Sequence, residues 1–235
     1  MSEQAWTEEY QTYMIVVAHP DDAEFGAAGT MATLTRAGKT VVIVQVTSGD
    51  KGSANPDDAP QAVAVRREAE ECEAARRLGV AEVVFLRETD SEVQPDVKLR
   101  EKIVRLIRTH RPDVVITHDA FRPYALHPDH RAVGLVTTDA CYPAARDPLN
   151  YPQHLRDGLE THKTAELWYF GAEVPDRYID ITDVFETKVQ ALLAHVSQVG
   201  EEGPFRERLR ERAAEVAQDQ EFELAEAFKA VVFRR

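Results

Sequence analysis

Short apolar runs of β type alternate with helical segments through the first half of the chain, and this alternation restricts the fold more than any other feature. The apolar runs lie at residues 13–18, 41–46, 83–86 and 114–117. The helical segments between them lie at residues 31–38, 61–78 and 97–110. Strands joined in this way by helices form a parallel sheet that carries helices on both faces. We therefore predict an α/β, Rossmann-like fold with a mainly parallel sheet.

The second half of the chain continues the pattern less regularly. Strand candidates lie at 166–170 and 178–181, followed by a helix at 184–199 and a charged helix from about 205 to 228. We see no internal repeat and no linker of low complexity, so we predict one domain over residues 1–235. Two longer connections, 50–60 and 141–164, are rich in turn residues and are expected to act as lid or specificity elements.

Composition excludes several classes of partner. The chain has 235 residues and a net charge of -13, which disfavours nucleic acid because phosphate binding draws on clustered Lys and Arg. The apolar runs are too short to cross a bilayer, and the polar, acidic start at residues 1–13 does not resemble a secretion signal. Two cysteines are too few for a disulfide framework. We expect a cytoplasmic protein with no membrane insertion.

The tripeptide His-Pro-Asp occurs twice, at His19–Asp21 and at His127–Asp129, and neither copy suits the interior of a helix or strand. The first copy directly follows the first predicted strand. The second lies ten residues after the strand that ends at Thr117 and opens a predicted helix at 132–140. Ligands in this architecture gather beyond the carboxyl ends of the strands. We therefore expect both copies to meet at that edge.

Residue types at this edge suit a metal-dependent hydrolase. Two imidazoles and one carboxylate, from His19, Asp22 and His130, form a ligand set typical of zinc, with one position left for water or substrate. Asp21 would then accept a proton from a water whose pKa the metal lowers to about 7, and His127 would stabilise an oxyanion or protonate a leaving amine. Each motif by itself also fits an ordinary turn or a helix cap.

The segments AHPDDAEFGAAGT and HPDHRA resemble the PIG-L/LmbE-like family of zinc-dependent N-acetylglucosaminyl deacetylases. The resemblance extends through RREAEECEAARRLGV, RPDVVITHD and KVQALLAHVSQ, in the same order. It implies the Rossmann-like fold, the zinc ligands and the Asp21 base given above.

The resemblance also implies roles for three more residues. Asp129 would be a catalytic residue that helps to orient the catalytic histidine, and Arg67 and Asp90 would contact substrate, with Arg66 as an alternative to Arg67. The chain departs from the pattern of some relatives because Ala125 stands where they have a catalytic tyrosine, with Tyr124 one residue earlier. For His195, we predict a packing role rather than metal binding.

We therefore expect an enzyme that removes the N-acetyl group from an N-acetylglucosamine-containing small molecule or conjugate, with one zinc ion per chain or another divalent metal. The first alternative is an amidase that cleaves a larger acyl group from a thiol-sugar conjugate. The second is a sugar- or nucleotide-binding module without catalysis, although the first turn lacks a G-x-G-x-x-G phosphate-binding motif. The resemblance is also compatible with a homo-oligomer.

Overall fold

A mainly parallel sheet forms the centre of the molecule. The computed structural model describes residues 9–233, so most of the start at 1–13 lies outside the described residues. Within the described part, seven strands lie in the order β3-β2-β1-β4-β5-β7-β6. The strands are β1 (Thr12–Val17), β2 (Thr40–Thr47), β3 (Glu82–Glu88), β4 (Val114–His118), β5 (Glu166–Phe170), β6 (Arg177–Asp180) and β7 (Ala225–Val232). The first five strands pair in parallel, and β7 pairs antiparallel with both β5 and β6. The predicted fold class is confirmed.

Helices cover both faces of the sheet. They are α1 (Asp22–Arg36), α2 (Pro60–Leu78), α3 (Val97–His110), α4 (Pro128–Asp139), α5 (Pro152–Arg156), α6 (Phe185–Leu192) and α7 (Glu202–Val216). A short π-helical turn, Ala140–Ala144, follows α4, and a 3-10 turn, Thr182–Val184, precedes α6. Local signals set several of these ends. The Asp96 side chain accepts the Leu99 amide hydrogen at the start of α3, and Gly79 closes α2 with a left-handed φ of 74°.

Strand β1 divides the hydrophobic core in two because its side chains alternate between the faces of the sheet. Tyr13, Ile15 and Val17 belong to the cluster on the face covered by α1, α2 and α6. Met14 and Val16 belong to the cluster on the face covered by α3 and α4. All five side chains are completely buried, so β1 is a central strand whose carboxyl end is held rigidly.

The carboxyl ends of β1 and β4 position the two His-Pro-Asp segments. β1 runs into His19 and the start of α1, and β4 ends at His118, shortly before the segment that opens α4. The two strands are neighbours, with Tyr13 paired to Val114 and Val16 to Thr117. Segments more than a hundred residues apart in sequence therefore leave the sheet side by side.

The end of the chain differs from the sequence-based expectation. The predicted helix over about 205–228 is confirmed only as far as Val216, where α7 ends, and its last part is wrong because residues 225–232 form strand β7. Residues of β7 such as Ala227 and Lys229 favour a helix locally, but the open edge of β5 offers a complete set of backbone partners. Phe228 on β7 is completely buried and packs on Trp168. The helix predicted at 184–199 is also shorter and ends at Leu192.

The two longer connections lie in different places. Segment 50–60 begins beside Asp90, whose carboxylate accepts the Lys51 amide hydrogen. Segment 141–164 packs against the Arg108 side chain and the Pro112 carbonyl, at the amino-terminal edge of the parallel strands. The lid or specificity role of both segments stays a prediction.

No helix within residues 9–233 combines the length and the apolar character that crossing a membrane requires.

Candidate active site

Three predicted metal ligands converge at the carboxyl edge of the sheet. His19 Nδ1 lies 3.2 Å from Asp22 Oδ2 and 3.3 Å from His130 Nε2. His130 Nε2 lies 3.3 Å from Asp22 Oδ1. Ligands about 2.0–2.1 Å from a tetrahedral zinc ion are separated by about 3.3–3.4 Å. The two imidazole nitrogens and the Asp22 carboxylate are thus spaced as ligands of one metal ion would be, with each nitrogen nearest a different carboxylate oxygen. Two nitrogen donors and one carboxylate suit zinc.

The two adjacent aspartates have different partners, as the sequence predicts for a turn. Asp22 lies among histidines, whereas the Asp21 carboxylate lies 3.4 Å from Arg67 Nη2. Asp21 has a φ of 101°, a left-handed conformation that costs a residue other than glycine about 1–3 kcal/mol. This strained conformation separates the directions of the two carboxylates, so that one can bind metal while the other stays free for proton transfer.

Charge and burial give the two aspartates opposite titration behaviour. Burial and the neighbouring Asp22 carboxylate raise the pKa of Asp21 to about 7, although Arg67 opposes them. Burial would also raise the pKa of Asp22, but the surrounding imidazoles, above all His118, lower it well below its ordinary value. A carboxyl group with a pKa near neutrality is suited to accept a proton, and a permanently ionised one is suited to bind a cation.

His127 forms the N-cap of α4 and lines the cavity at the site. Its Nδ1 accepts the Asp129 amide hydrogen at 3.3 Å, so in neutral His127 the hydrogen lies on Nε2. Its ring stacks on His130 with centroids 4.6 Å apart. Burial, reinforced by His19 and His130, lowers the pKa of His127. The side chain thus offers an N–H donor beside the metal ligands.

Asp129 and Asp90 both lie behind His19. Asp129 Oδ2 is 3.1 Å and Asp90 Oδ1 is 3.3 Å from His19 Nε2, the ring nitrogen opposite the metal-facing Nδ1. Asp129 is fully buried and also accepts the amide hydrogens of Ser91 and Val93. A carboxylate that hydrogen-bonds the distal nitrogen of a ligand histidine fixes the orientation of the ring.

These positions differ from the roles that the resemblance implies. The carboxylate of Asp129 contacts His19, and its link to His127 runs through the backbone amide. Arg67 is 4 % exposed and donates to the Gly49 and Pro20 carbonyl oxygens. Neither Arg67 nor Asp90 is among the residues that line the cavity, so their contact with substrate stays a prediction.

His118 is a member of the site that the sequence interpretation missed. It ends β4, is 4 % exposed, and accepts the Ala18 amide hydrogen on Nε2 at 3.2 Å. The same nitrogen lies 3.5 Å from Asp22 Oδ2, and the ring stacks on His130 with centroids 4.1 Å apart. A polar residue that ends an apolar strand at the carboxyl edge was the available signal, in the segment RPDVVITHD.

A cavity of about 840 Å³ opens beside the ligands. Asp22, His118, His127 and His130 belong to its lining. The remaining wall includes Phe25, Arg122, Tyr124, Phe170, Tyr178 and Arg212, contributed by α1, the 119–127 loop, β5, β6 and α7. Its volume lies within the usual range for small-molecule sites. The geometry defines a class of protein: an α/β fold with a cluster of histidines and a carboxylate, suited to hold a metal ion, beside a small-molecule cavity.

Comparison with known proteins identifies the family. Residues 14–141 match the family PIG-L, described as GlcNAc-PI de-N-acetylase. The diacetylchitobiose deacetylase of Thermococcus kodakarensis is 33% identical over 189 residues, which are 80% of this chain and 70% of the relative. The mycothiol S-conjugate amidase of Streptomyces coelicolor is 29% identical over 270 aligned positions, covering 91% of each chain. The chain therefore belongs to the PIG-L family, as the sequence motifs predict.

The solved structures agree with the family assignment. The N,N'-diacetylchitobiose deacetylase from Pyrococcus horikoshii superposes with a TM-score of 0.92 at 26% identity. The match covers 99% of this chain and 88% of that one. The resemblance in fold thus includes the carboxyl-terminal strands, beyond the residues that the family match covers.

Proposed function

We propose that the protein is a zinc-dependent deacetylase that removes the N-acetyl group from an N-acetylglucosamine-containing small molecule or conjugate. The observation that carries the proposal is the convergence of His19, Asp22 and His130. Their two ring nitrogens lie 3.3 Å apart, and each lies 3.2–3.3 Å from one of the two oxygens of the Asp22 carboxylate. Membership of the PIG-L family and the names of the relatives support the reaction and the substrate class.

Each polar side chain then has a task in amide hydrolysis. The bound metal ion would supply a Lewis acid that polarises the acetyl carbonyl and makes water more acidic. Asp21 takes a proton from the attacking water, since its pKa lies near neutrality and its carboxylate is not needed as a ligand. His127 donates a hydrogen bond from Nε2 to the oxygen that gains negative charge. The proton that Asp21 took from water goes to the leaving nitrogen, either directly or by way of His127, which receives a proton as it gives one. The products are acetate and a free amine.

A substrate panel tests the reaction. The zinc-loaded protein is incubated with N-acetylglucosamine, N,N'-diacetylchitobiose and acetylated glucosamine conjugates, and acetate and free amine are measured in parallel. We expect equal amounts of both products from at least one member of the panel. Absence of acetate release from every member, with one zinc ion bound per chain, would contradict the substrate class.

Substitution of the proposed base tests the mechanism. Asp21→Asn removes the proton acceptor and keeps the size of the side chain, so we expect kcat to fall about 10²–10⁴-fold while zinc content stays at one per chain. His127→Gln should lower kcat by about 10²–10³-fold. Full activity of the Asp21 variant would exclude Asp21 as the base.

A larger acyl group is the second candidate substrate. The match to the S. coelicolor amidase covers 91% of both chains, and the cavity is far larger than an acetyl group needs. The two candidates are separated by comparing kcat/KM for acetyl and bulky acyl derivatives of the same amino sugar. A preference of more than tenfold for the bulky group would favour the amidase.

A further inference from the structure

A buried polar cluster lies behind the Asp21 turn, away from the cavity. It consists of Glu24 on α1, Glu71 on α2 and His195 just after α6, and all three side chains are completely buried. His195 Nε2 lies 3.4 Å from Glu24 Oε2 and 3.9 Å from Glu71 Oε2. None of the three lines the cavity.

The cluster is costly for the fold. Both carboxylate oxygens of Glu24, Glu71 Oε1 and both ring nitrogens of His195 lack a hydrogen-bond partner of normal geometry within the described residues. Buried polar groups are nearly always paired, and unpaired ones destabilise the folded state. Such a group in the interior is therefore expected to have a function.

The cluster contacts the site at one peptide unit, the one between Pro20 and Asp21. Glu71 Oε2 accepts the Asp21 amide hydrogen at 3.3 Å. Arg67, one helical turn earlier on α2, donates from Nη2 to the Pro20 carbonyl oxygen at 2.6 Å. The Pro20 carbonyl and the Asp21 amide belong to the same peptide unit. Two side chains of one helix thus hold both polar ends of that unit.

Rotation of this peptide would change the site. Asp21 has a φ of 101°, which a residue other than glycine keeps only when its surroundings impose it. Relaxation of this angle would turn the Asp21 side chain relative to Asp22, and the base would lose its position. Gly49 and Gly52 leave room for the Arg67 side chain that holds the Pro20 carbonyl, since a Cβ at either position would lie 2.2 Å from Arg67 Nη1.

We propose that Glu71 is a positioning residue for the Asp21 base: its Oε2 fixes the Pro20–Asp21 peptide, and Glu24 and His195 lie beside this carboxylate in the interior. This inference rests on the proposed function of Asp21. A rival explanation is a second cation, because Glu24, Glu71 and His195 offer ligand atoms within 4.8 Å of one another.

Three variants of α2 test the proposal. Glu71→Ala removes the acceptor of the Asp21 amide hydrogen, Glu71→Gln keeps an oxygen acceptor without the charge, and Glu73→Gln is the matched control in an ion pair with Arg76 on the surface. We expect Glu71→Ala to lower kcat 10- to 100-fold with KM within twofold and one zinc ion per chain. Glu71→Gln should recover at least half of the lost activity on a logarithmic scale, and the control should match the parent protein.

A structural measurement is independent of activity. Crystal structures of the zinc-loaded parent and of Glu71→Ala should show that the Asp21 φ leaves the left-handed region in the variant and that its carboxylate moves. If Glu71→Ala does not fold, the same comparison is made with Glu71→Asp, whose shorter side chain withdraws the acceptor from the Asp21 amide. This variant is expected to displace the Asp21 carboxylate and to lower kcat by at least threefold with KM within twofold.

Three results would overturn the proposal: a kcat of Glu71→Ala within twofold of the parent, an unchanged Asp21 geometry in that variant, or two metal ions per chain with loss of one ion in Glu71→Gln. If the parent protein hydrolyses no amide at all, the proposed function fails. The crystal structures still decide whether Glu71 holds the turn.

Discussion

At the scale of single residues, each predicted metal ligand is held in place by contacts with other side chains. His19 is held through Nε2 by Asp129 and Asp90, and its Nδ1 faces Asp22. Burial disfavours the charged form of His19, yet hydrogen bonds to Asp22 and Asp90 outweigh it and raise its pKa to about 10. His118 plays the corresponding supporting part for Asp22 and His130. Residues that support a ligand commonly matter almost as much as the ligand itself.

The His118 contact predicts a loss of metal affinity on substitution. His118→Ala removes the stacking partner of His130 and leaves the Ala18 amide hydrogen without its acceptor. We expect the zinc Kd to rise about 10–100-fold. Competition with a chromophoric chelator measures this change, and His110→Ala, at the end of α3, is the control. An unchanged Kd would mean that His118 does not support the metal centre.

At the scale of elements, the approach of α4 to β4 brings His130 to His118. Gly134 on α4 permits this approach, since a Cβ there would lie 2.5 Å from the His118 carbonyl oxygen and 2.8 Å from Ala120 Cβ. The helix begins at Pro128 directly after its cap, His127. The same helix therefore sets both the ligand and the N–H donor of the site.

Gly134→Ala is expected to disturb this helix. Overpacking at a backbone contact typically costs about 1–3 kcal/mol, and the displaced α4 should also weaken zinc binding. The control is Gly203→Ala in α7, where nothing lies within 4 Å of the added Cβ. Urea denaturation of both metal-free variants measures the difference. Equal stability of the two variants would show that α4 adjusts freely.

At the scale of the whole molecule, one buried carboxylate on the carboxyl-terminal strand joins that strand to α6 by an ion pair and to α1 by hydrogen bonds. Glu226 on β7 accepts hydrogens from Lys188 Nζ on α6 at 2.6 Å and from the Gly29 and Thr30 amides of α1 at 2.8 Å. Glu226 and Lys188 are each 5 % exposed. One carboxylate thus connects three elements that are distant in sequence.

Removal of this carboxylate should destabilise the entire fold. Glu226→Ala leaves the Lys188 charge buried and unpaired, which typically costs about 3–5 kcal/mol. Glu223→Ala breaks only an exposed pair with Arg210 and should cost less than about 1 kcal/mol. Chemical denaturation of the two proteins compares the free energies of unfolding. A loss below about 1 kcal/mol for Glu226→Ala would contradict the structural role of the pair.

Metal binding is expected to stabilise the molecule in a pH-dependent way. In the metal-free protein the pKa of His19 is about 10, above its ordinary value of 6.5, so its contribution to stability is complete below pH 6.5 and disappears as the pH rises through 10. Zinc must displace this proton, so its affinity increases with pH over the same range. The gap in Tm between zinc-loaded and metal-free protein should widen from pH 7.5 to 9.

Calorimetric or fluorescence melting at several pH values measures this gap. Binding experiments in two buffers of different ionisation enthalpy should also detect proton release when zinc binds. His19→Ala should abolish most of the stabilisation by zinc and is the reference protein. A gap that narrows with rising pH would contradict a protonated His19 in the metal-free site.

The sequence by itself determined the order of the central strands and helices along the chain, the candidate ligands and the family. These features depend on local periodicity and on short motifs such as AHPDD and HPDH, each of which is contained in a short stretch of sequence. Helix 97–110 and strand 166–170, for example, have the predicted bounds. The convergence of His19 and His130 follows from the rule that the carboxyl ends of parallel strands share one edge.

Only the tertiary structure decided the position of β7, the placement of Asp129 and Asp90 behind His19, and the membership of His118. Each depends on contacts between residues that are distant in sequence, such as the 110 positions between His19 and Asp129. Local patterns carry no information on which side chain faces which across the sheet. The packing of the two hydrophobic clusters decides these contacts, because burial and backbone pairing outweigh the preferences of a short segment.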